Sequence, residues 1–214
     1  VAHNGAMPTT CLLLLFAYLI GSVSGSLALG RLRGVDIRTQ GSGNAGGTNA
    51  FRTQGATFAL GVVVIDIGKG ALVAWLASRF APVDGPFSPR ALGFMAALAA
   101  TVGHVWPIWH GFRGGKGVGT LLGGMAVLWP MALLPLFAVW TGVLVATGYV
   151  GLASIIATAC LVPLAWWMQV DRAAQLFSLA AALLVLFTHR VNIRRLCDGT
   201  ESRFERVRLW RRRA

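Results

Sequence analysis

Seven long apolar runs dominate this chain: Cys11–Gly30, Ala56–Ala77, Ala91–Trp109, Gly117–Trp129, Met131–Ala146, Tyr149–Met168 and Ala173–Thr188. About 20 consecutive apolar residues are needed for a helix to cross the hydrocarbon core of a bilayer. A chain of this length is expected to form one domain. With 56% hydrophobic and only 12% charged residues, it is too apolar to remain in water. The expected fold is therefore an all-α polytopic membrane protein with seven transmembrane helices over residues 11–189. Residues 1–10 would precede the domain and 190–214 would form a basic tail. The fourth and fifth runs are short and share the turn Trp129-Pro130, and one re-entrant hairpin there would leave the topology on either side unchanged. The first run is too long, and too well continued by others, to be a cleaved signal peptide. Residues 1–6 precede Met7 and are small and polar, which suggests an added or mis-set start.

Lys/Arg distribution orients the helices, because cytoplasmic loops carry the excess of positive charge. With the N-terminus outside, fifteen of the 19 Lys+Arg fall on inner segments, three (Arg79, Arg90, Arg172) on outer ones, and Lys69 lies within the second run. The C-terminus is thus expected in the cytoplasm. The net charge of +12 would suit an anionic membrane surface or anionic substrates, whereas nucleic acid is excluded by the apolar bulk of the chain. The tail cluster Arg203, Arg206, Arg208, Arg211, Arg212 and Arg213 reads either as a patch for anionic lipid headgroups or as a solvated tail. Several tryptophans near run ends resemble an aromatic belt. Gly21 and Gly25, with Ser22 and Ser26, form small-xxx-small patterns that bring helices close together. The three cysteines have no disulfide or metal spacing, and no metal or organic cofactor is expected. No obligate protein partner is evident.

Three unusual polar stretches fall on the inner face: residues 34–55, 110–117 and 147–154, the last complemented by the end of the seventh run. In the first, Gly41, Gly43, Gly46 and Gly47 allow backbone N–H groups to converge on an anion. Ser42, Asn44, Thr48 and Asn49 add side-chain donors, and Arg52 offers a bidentate clamp for phosphate. In the second, Gly114, Gly115, Lys116 and Gly117 open a helix, whose free N–H groups attract phosphate, and Thr120 lies in its first turn. The spacing is not that of a P-loop and no strand precedes it, so a nucleotide hydrolase is excluded. His104 reads equally as a site residue or a packed histidine. In the third, Ser154 follows a Gly148-Tyr149 turn, while His189 and Asn192 sit three apart where the last run ends. Asp66 and Lys69, also three apart, are charges inside a run and read equally as a structural pair or as part of a site.

The stretches GSGNAGGTN and FRTQG, HVWPIWHGFRGGKGVGT, GYVGLAS and THRVNIRRLCDGTESR resemble, in order and spacing, the motifs of the bacterial acyl-phosphate:glycerol-3-phosphate acyltransferases. The departures are Gly47 and Gly119 where Ala is common, Arg113 where Lys is common, and Gly151 where Ser is common. The resemblance implies a seven-helix enzyme of the bacterial inner membrane, its active site facing the cytoplasm. It would transfer a fatty acyl group from acyl phosphate to the 1-hydroxyl of glycerol 3-phosphate, without a cofactor, giving lysophosphatidic acid and phosphate. It also implies that Ser42, Arg52, Lys116 and Ser154 bind phosphate. His189 and Asn192 would sit at the glycerol end, and Asn44, Thr48 and Asn49 would frame the acyl phosphate. Of these, His189, Asn192, Ser42 and Lys116 are the expected catalytic set. Gly43, Gly114, Gly115, Gly117, Thr120 and His104 join the expected substrate contacts. The proton of the attacking hydroxyl would pass either to the donor's own phosphate or to His189. The competing class is a transporter or channel for a phosphorylated solute, but such sites lie near the bilayer midplane between repeats, and no repeat is evident. A structural scaffold would not need the glycine-rich loops.

Overall fold

The computed structural model describes residues 5–204, and all regular structure among them is helical. Ten α-helices follow in order: α1 Ala6–Gly21, α2 Gly25–Leu32, α3 Gly47–Gln54, α4 Ala56–Arg79, α5 Pro89–Val105, α6 Val118–Leu128, α7 Leu133–Thr147, α8 Val150–Trp167, α9 Arg172–Thr188 and α10 Arg190–Cys197. The chain divides into two compact units, Val1–Trp129 and Pro130–Ala214. Arg206 and the tail residues beyond it lie outside the described residues, and with them most of the expected headgroup patch.

Four segments are long and apolar enough to cross a membrane: Ala56–Arg79, Pro89–His110, Pro130–Thr147 and Val150–Trp167. Two bent pairs also qualify if each is one broken span, α1 with α2 at 45° and α9 with α10 at 56°. The expected fourth span is shorter than the sequence pattern suggests. Helix α6 has 11 residues, about 16 Å at the usual rise, against a core of about 30 Å. Its glycines at 114, 115 and 117 belong to the preceding turn, and Trp129-Pro130 ends it. The 34–55 stretch also differs from a plain loop. It holds a short 3-10 turn, Ile37–Thr39, and the two-turn helix α3.

In the first unit, α5 packs against α1, α4 and α6, and α4 also supports α2 and α3. Between lipid-soluble helices the usual hydrophobic drive is absent, so close backbone approach and polar contacts must hold them together. Small residues supply that approach. A β-carbon on Gly21 would lie 2.1 Å from the Ala100 carbonyl oxygen, and one on Gly123 would lie 1.9 Å from that of Ile67. The large apolar side chains Leu12, Phe16, Leu60, Val64 and Trp75 point outward, as a lipid-facing surface requires.

The first apolar run does not form one helix. It breaks at Ser22-Val23-Ser24, and α4 repairs the break. Lys69 donates to the Val23 carbonyl at 2.8 Å, and the Gly25 N–H donates to Asp66 at 3.2 Å. Broken backbone inside hydrocarbon costs several kcal/mol per unsatisfied group. A cation at the end of one helix and an anion at the start of the next also match the two helix dipoles.

In the second unit, α8 packs between α7 and α9, and α10 turns back toward α8. Gly148 closes α7 in the left-handed conformation at φ 79°. Asp171 caps α9 by accepting the Ala174 N–H at 2.8 Å. The helix-interface glycines generate a testable contrast. Gly123→Ala should lower thermal stability in detergent by about 2 kcal/mol or more through overpacking against Ile67. Gly142→Ala, whose new methyl meets nothing within 4 Å, should raise it by up to about 1 kcal/mol through helix propensity.

Candidate functional site

The first glycine-rich stretch is shaped by one buried amide. Asn49 accepts the Ser42 N–H at 2.9 Å and donates to the carbonyls of Ile37 and Gln40 at 3.2 and 3.0 Å. It therefore braces the loop from within, and its side chain is 2% exposed. Gly41 and Gly43 take φ of 56° and 74°, the left-handed region that a β-carbon disfavours. Asn44 folds its amide back over Gly46, whose β-carbon would lie 2.7 Å from it. Gly46 then caps α3, placing Thr48 and Asn49 in the first turn and Arg52 on the exposed last turn. Ahead of the loop, Arg38 pairs with Asp36 at 2.7 Å and holds that carboxyl down at about 2, chiefly through its side-chain hydrogen bond. The same guanidinium donates to the carbonyls of His110 and Arg113 at 3.0 and 3.3 Å. Asp36 and Arg38 thus tie the first motif to the second.

The second stretch lies flat on the end of α5. Gly114 and Gly115 donate their N–H groups to the carbonyls of Val105 and His104, each at 3.1 Å. A β-carbon on Gly114 would lie 2.0 Å from the His104 carbonyl oxygen, and one on Gly115 would lie 2.1 Å from His104 Nε2. Gly117, at φ 89°, caps α6, with Lys116 half-buried just before it. Thr120 is fully buried, its carbonyl packs on Gly70, and its hydroxyl has no hydrogen-bond partner among the described residues.

The two stretches meet. The Ala45 carbonyl lies 2.9 Å from where a β-carbon of Gly115 would sit. Helices α3 and α6 begin against neighbouring turns of α4. Gly47 faces Val63, and Gly119 faces Asp66 and Ile67. Two helix N-termini therefore start side by side. Each presents first-turn N–H groups that no intrahelical carbonyl satisfies and the positive end of its dipole, an arrangement suited to anions. Beneath them His104, 3% exposed, contacts Lys69 at 2.8 Å and Asp66 at 3.3 Å, and Lys69 lies 3.0 Å from Asp66.

The second unit holds its own polar cluster. His189 stands at the bend between α9 and α10, 3% exposed, with Nδ1 2.9 Å from the Val185 carbonyl oxygen. A carbonyl only accepts, so Nδ1 carries a proton and the lone pair of the neutral ring lies on Nε2. Asn192 is buried and donates to Glu201 at 2.7 Å. A β-carbon on Gly151 would meet Asn192 at 3.0 Å, so the glycine there leaves room for this amide. Ser154 is buried, donates to the Val150 carbonyl at 3.0 Å and accepts from Trp140 at 3.2 Å. Arg203 reaches the Tyr149 hydroxyl at 2.5 Å, and the Phe204 N–H donates to the Gly148 carbonyl.

Sequence reasoning quoted Glu201 inside a motif but gave it no role. The signal was its rarity, for the chain has only seven Asp+Glu, and a carboxylate beside a cationic stretch is expected to have a specific partner. Trp140 reads from the sequence only as part of an aromatic belt, Arg38 only as an inner-face cation, and Asp36 only as a member of the first polar stretch; nothing in their local pattern marks the contacts they make.

Apolar helices with charged and glycine-rich turns at their ends define an integral membrane protein. A family model described as glycerol-3-phosphate acyltransferase matches residues 11–199. Among curated relatives, the glycerol-3-phosphate acyltransferase of Shewanella woodyi is 41% identical over 91% of this chain and 93% of its own length. That of Desulforudis audaxviator is 44% identical over 88% and 92%. Among solved structures, PlsY (YgiH), an integral membrane glycerol 3-phosphate acyltransferase in its glycerol 3-phosphate form, superposes with a TM-score of 0.83. It is 35% identical and the match covers 92% of this chain and 96% of that one. The lysophosphatidic acid form gives a TM-score of 0.82 at 34% identity, over 92% of this chain and 95% of that one. The chain belongs to the glycerol-3-phosphate acyltransferase family.

The bracing role of Asn49 is directly testable. Asn49→Asp replaces two donated hydrogen bonds by a carboxylate oxygen facing two carbonyls. It should destabilise the loop by about 2–4 kcal/mol, seen as faster limited proteolysis between residues 38 and 50 and loss of activity.

Proposed function

We propose that this enzyme transfers a fatty acyl group from acyl phosphate to the 1-hydroxyl of glycerol 3-phosphate, releasing lysophosphatidic acid and phosphate, as the first acylation of phospholipid synthesis. The observation that carries this reading is the pair of adjacent helix N-termini, α3 and α6, with Lys116 just before α6 and Arg52 on the last turn of α3, in a glycerol-3-phosphate acyltransferase. Both substrates of this reaction are phosphates. Bringing two such anions together costs Coulomb energy that cations and N–H donors must offset.

Roles follow for the individual residues. Ser42, Arg52, Lys116 and Gly117 hold phosphate oxygens, while Gly43, Gly114 and Gly115, whose N–H groups donate to the carbonyls of Gln40, Val105 and His104, shape the turns around the substrate. Asn44 and Thr48 frame the acyl phosphate, and Asn49 and Thr120 support that frame from buried positions. In the second unit Ser154 binds phosphate, while His189 and Asn192 serve the glycerol end. Acyl phosphate is a mixed anhydride, already activated. The glycerol hydroxyl oxygen bonds to the acyl carbon, the bond from that carbon to the phosphate oxygen breaks, and the phosphate departs. Positioning two bound reactants supplies much of the acceleration. The departing phosphate takes the hydroxyl proton, and His189 orients the glycerol through Nε2.

We also propose that the α1–α2 and α9–α10 pairs and the short α6 complete seven crossings, with the N-terminus outside and the active site in the cytoplasm of a bacterial inner membrane. The positive-inside count supports this. An impermeant thiol reagent added outside intact cells should label an Asp84→Cys variant and leave the exposed Cys197 untouched; the reverse pattern overturns the topology.

Purified protein in lipid should release phosphate from palmitoyl phosphate only when glycerol 3-phosphate is present. Lys116→Ala and Arg52→Ala should each lower kcat/KM by about 100-fold, the loss of a charge-assisted contact of some 2–3 kcal/mol. Near-normal turnover in either variant overturns the assigned anion site. His189→Gln should raise KM for glycerol 3-phosphate. A collapse of kcat with binding intact, together with loss of a pH limb near a histidine pKa, would instead make His189 the base.

A further inference from the structure

The group at the bottom of the anion loops is Asp66, Lys69 and His104, and it does more than close the break in the first apolar run. An ammonium has three N–H donors and no acceptor. Lys69 has three acceptors around it: the Val23 carbonyl at 2.8 Å, Asp66 Oδ1 at 3.0 Å and His104 Nδ1 at 2.8 Å. All three donors are thereby used, and at 2.8 Å from the ammonium Nδ1 of His104 presents its lone pair, the contact of the same nitrogen with Asp66 Oδ1 being longer at 3.3 Å. The remaining ring nitrogen, Nε2, then carries the hydrogen. That nitrogen lies under Gly115, close enough that a β-carbon there would come within 2.1 Å of it. Gly115 is thus the point where the imidazole edge reaches the turn that precedes α6.

We propose that Asp66 and Lys69 are positioning residues that lock His104 in the Nε2–H tautomer, so that His104 donates a hydrogen bond to a phosphate oxyanion held at the Gly114–Gly117 turn. This rests on the proposed phosphate role of that turn. The arrangement follows the logic by which a second group fixes which imidazole nitrogen is the donor. It also explains the glycine at 115, since any side chain would displace the ring. Asp66 holds Lys69 in place and balances its charge, as a buried cation requires.

Histidine is present at only four positions, so protein labelled with ¹⁵N in its imidazoles gives assignable signals once His3, His110 and His189 are replaced singly. The expected spectrum shows His104 with a bare Nδ1 and a protonated Nε2. Titration with glycerol 3-phosphate, or with inorganic phosphate, should move the Nε2 signal. A proton on Nδ1 in the unsubstituted protein, or an Nε2 signal that neither phosphate moves, overturns the proposal.

Kinetics supply the second arm. Lys69→Met and His104→Phe should raise KM for a phosphorylated substrate by about 10- to 100-fold with a smaller change in kcat. His104→Gln, which keeps an N–H donor, should recover most of the loss. The substrate whose KM rises, palmitoyl phosphate or glycerol 3-phosphate, identifies the oxyanion. If Lys116→Ala is defective while folded Lys69→Met and His104→Phe keep both KM values, the tautomer lock is wrong and the anion loop stands. If Lys116→Ala itself binds both substrates normally, the loop assignment fails, and the lock with it.

Discussion

Hydrocarbon cannot hydrogen-bond, so any broken backbone inside a membrane protein must be satisfied by the protein itself. The first apolar run breaks at Ser22–Ser24, and the Asp66–Lys69 pair of α4 is its repair. Much else in the first unit hangs on this one pair. It bridges the 45° bend between α1 and α2 and places a charged group beside His104 of α5. It also puts His104 in contact with an ammonium directly under the Gly114–Gly117 turn. An isolated ion pair of this kind gains little net stability, because desolvation offsets Coulomb attraction. Here the pair also completes hydrogen bonds that the backbone would otherwise lack, and removing one partner would strand both a charge and a peptide group.

The second organising constraint belongs to the proposed reaction, in which two mutually repelling phosphates must meet. Cationic side chains alone would be a costly way to gather positive potential in an apolar protein. In the proposed site helix N-termini supply it from the backbone, and α3 and α6 start within one turn of each other along α4. Short helices suit this purpose, since their dipole ends reach the place where the chain turns. The brevity of α6 and the presence of α3 inside a stretch that looks irregular have the same explanation. On the proposed reading both helices serve through their first turns more than through their length.

Much of the candidate site was legible before the structure, for reasons that differ by residue. Ser42, Arg52 and Lys116 stood out because polar donors and glycine cluster where apolar runs stop. His189 and Asn192 stood out because a histidine at a run end, three residues from an amide, is uncommon. Asn49 was legible as a polar group but not as a brace, since nothing local shows that its amide turns inward to Ile37, Gln40 and Ser42. Thr120 follows the same pattern, placed by α4 packing into a buried position. Glu201 was invisible as a partner of Asn192 because nine residues and the end of a helix separate them.

The amino-acid sequence by itself determined that the chain must enter a membrane, where most of its long helices fall, and that its glycine, amide and cation content gathers at their ends. These are local matters of hydropathy and residue chemistry, readable along one dimension. The tertiary structure decided which charges are structural, which helix starts lie together and which face each amide serves. Such choices depend on helices from distant parts of the chain packing at van der Waals distance, and there a single methyl group on Gly115 or Gly123 would not fit. Asp66 and Lys69 show the difference: their spacing announced a pair, and only the packing of α1, α2 and α5 around them revealed what the pair holds.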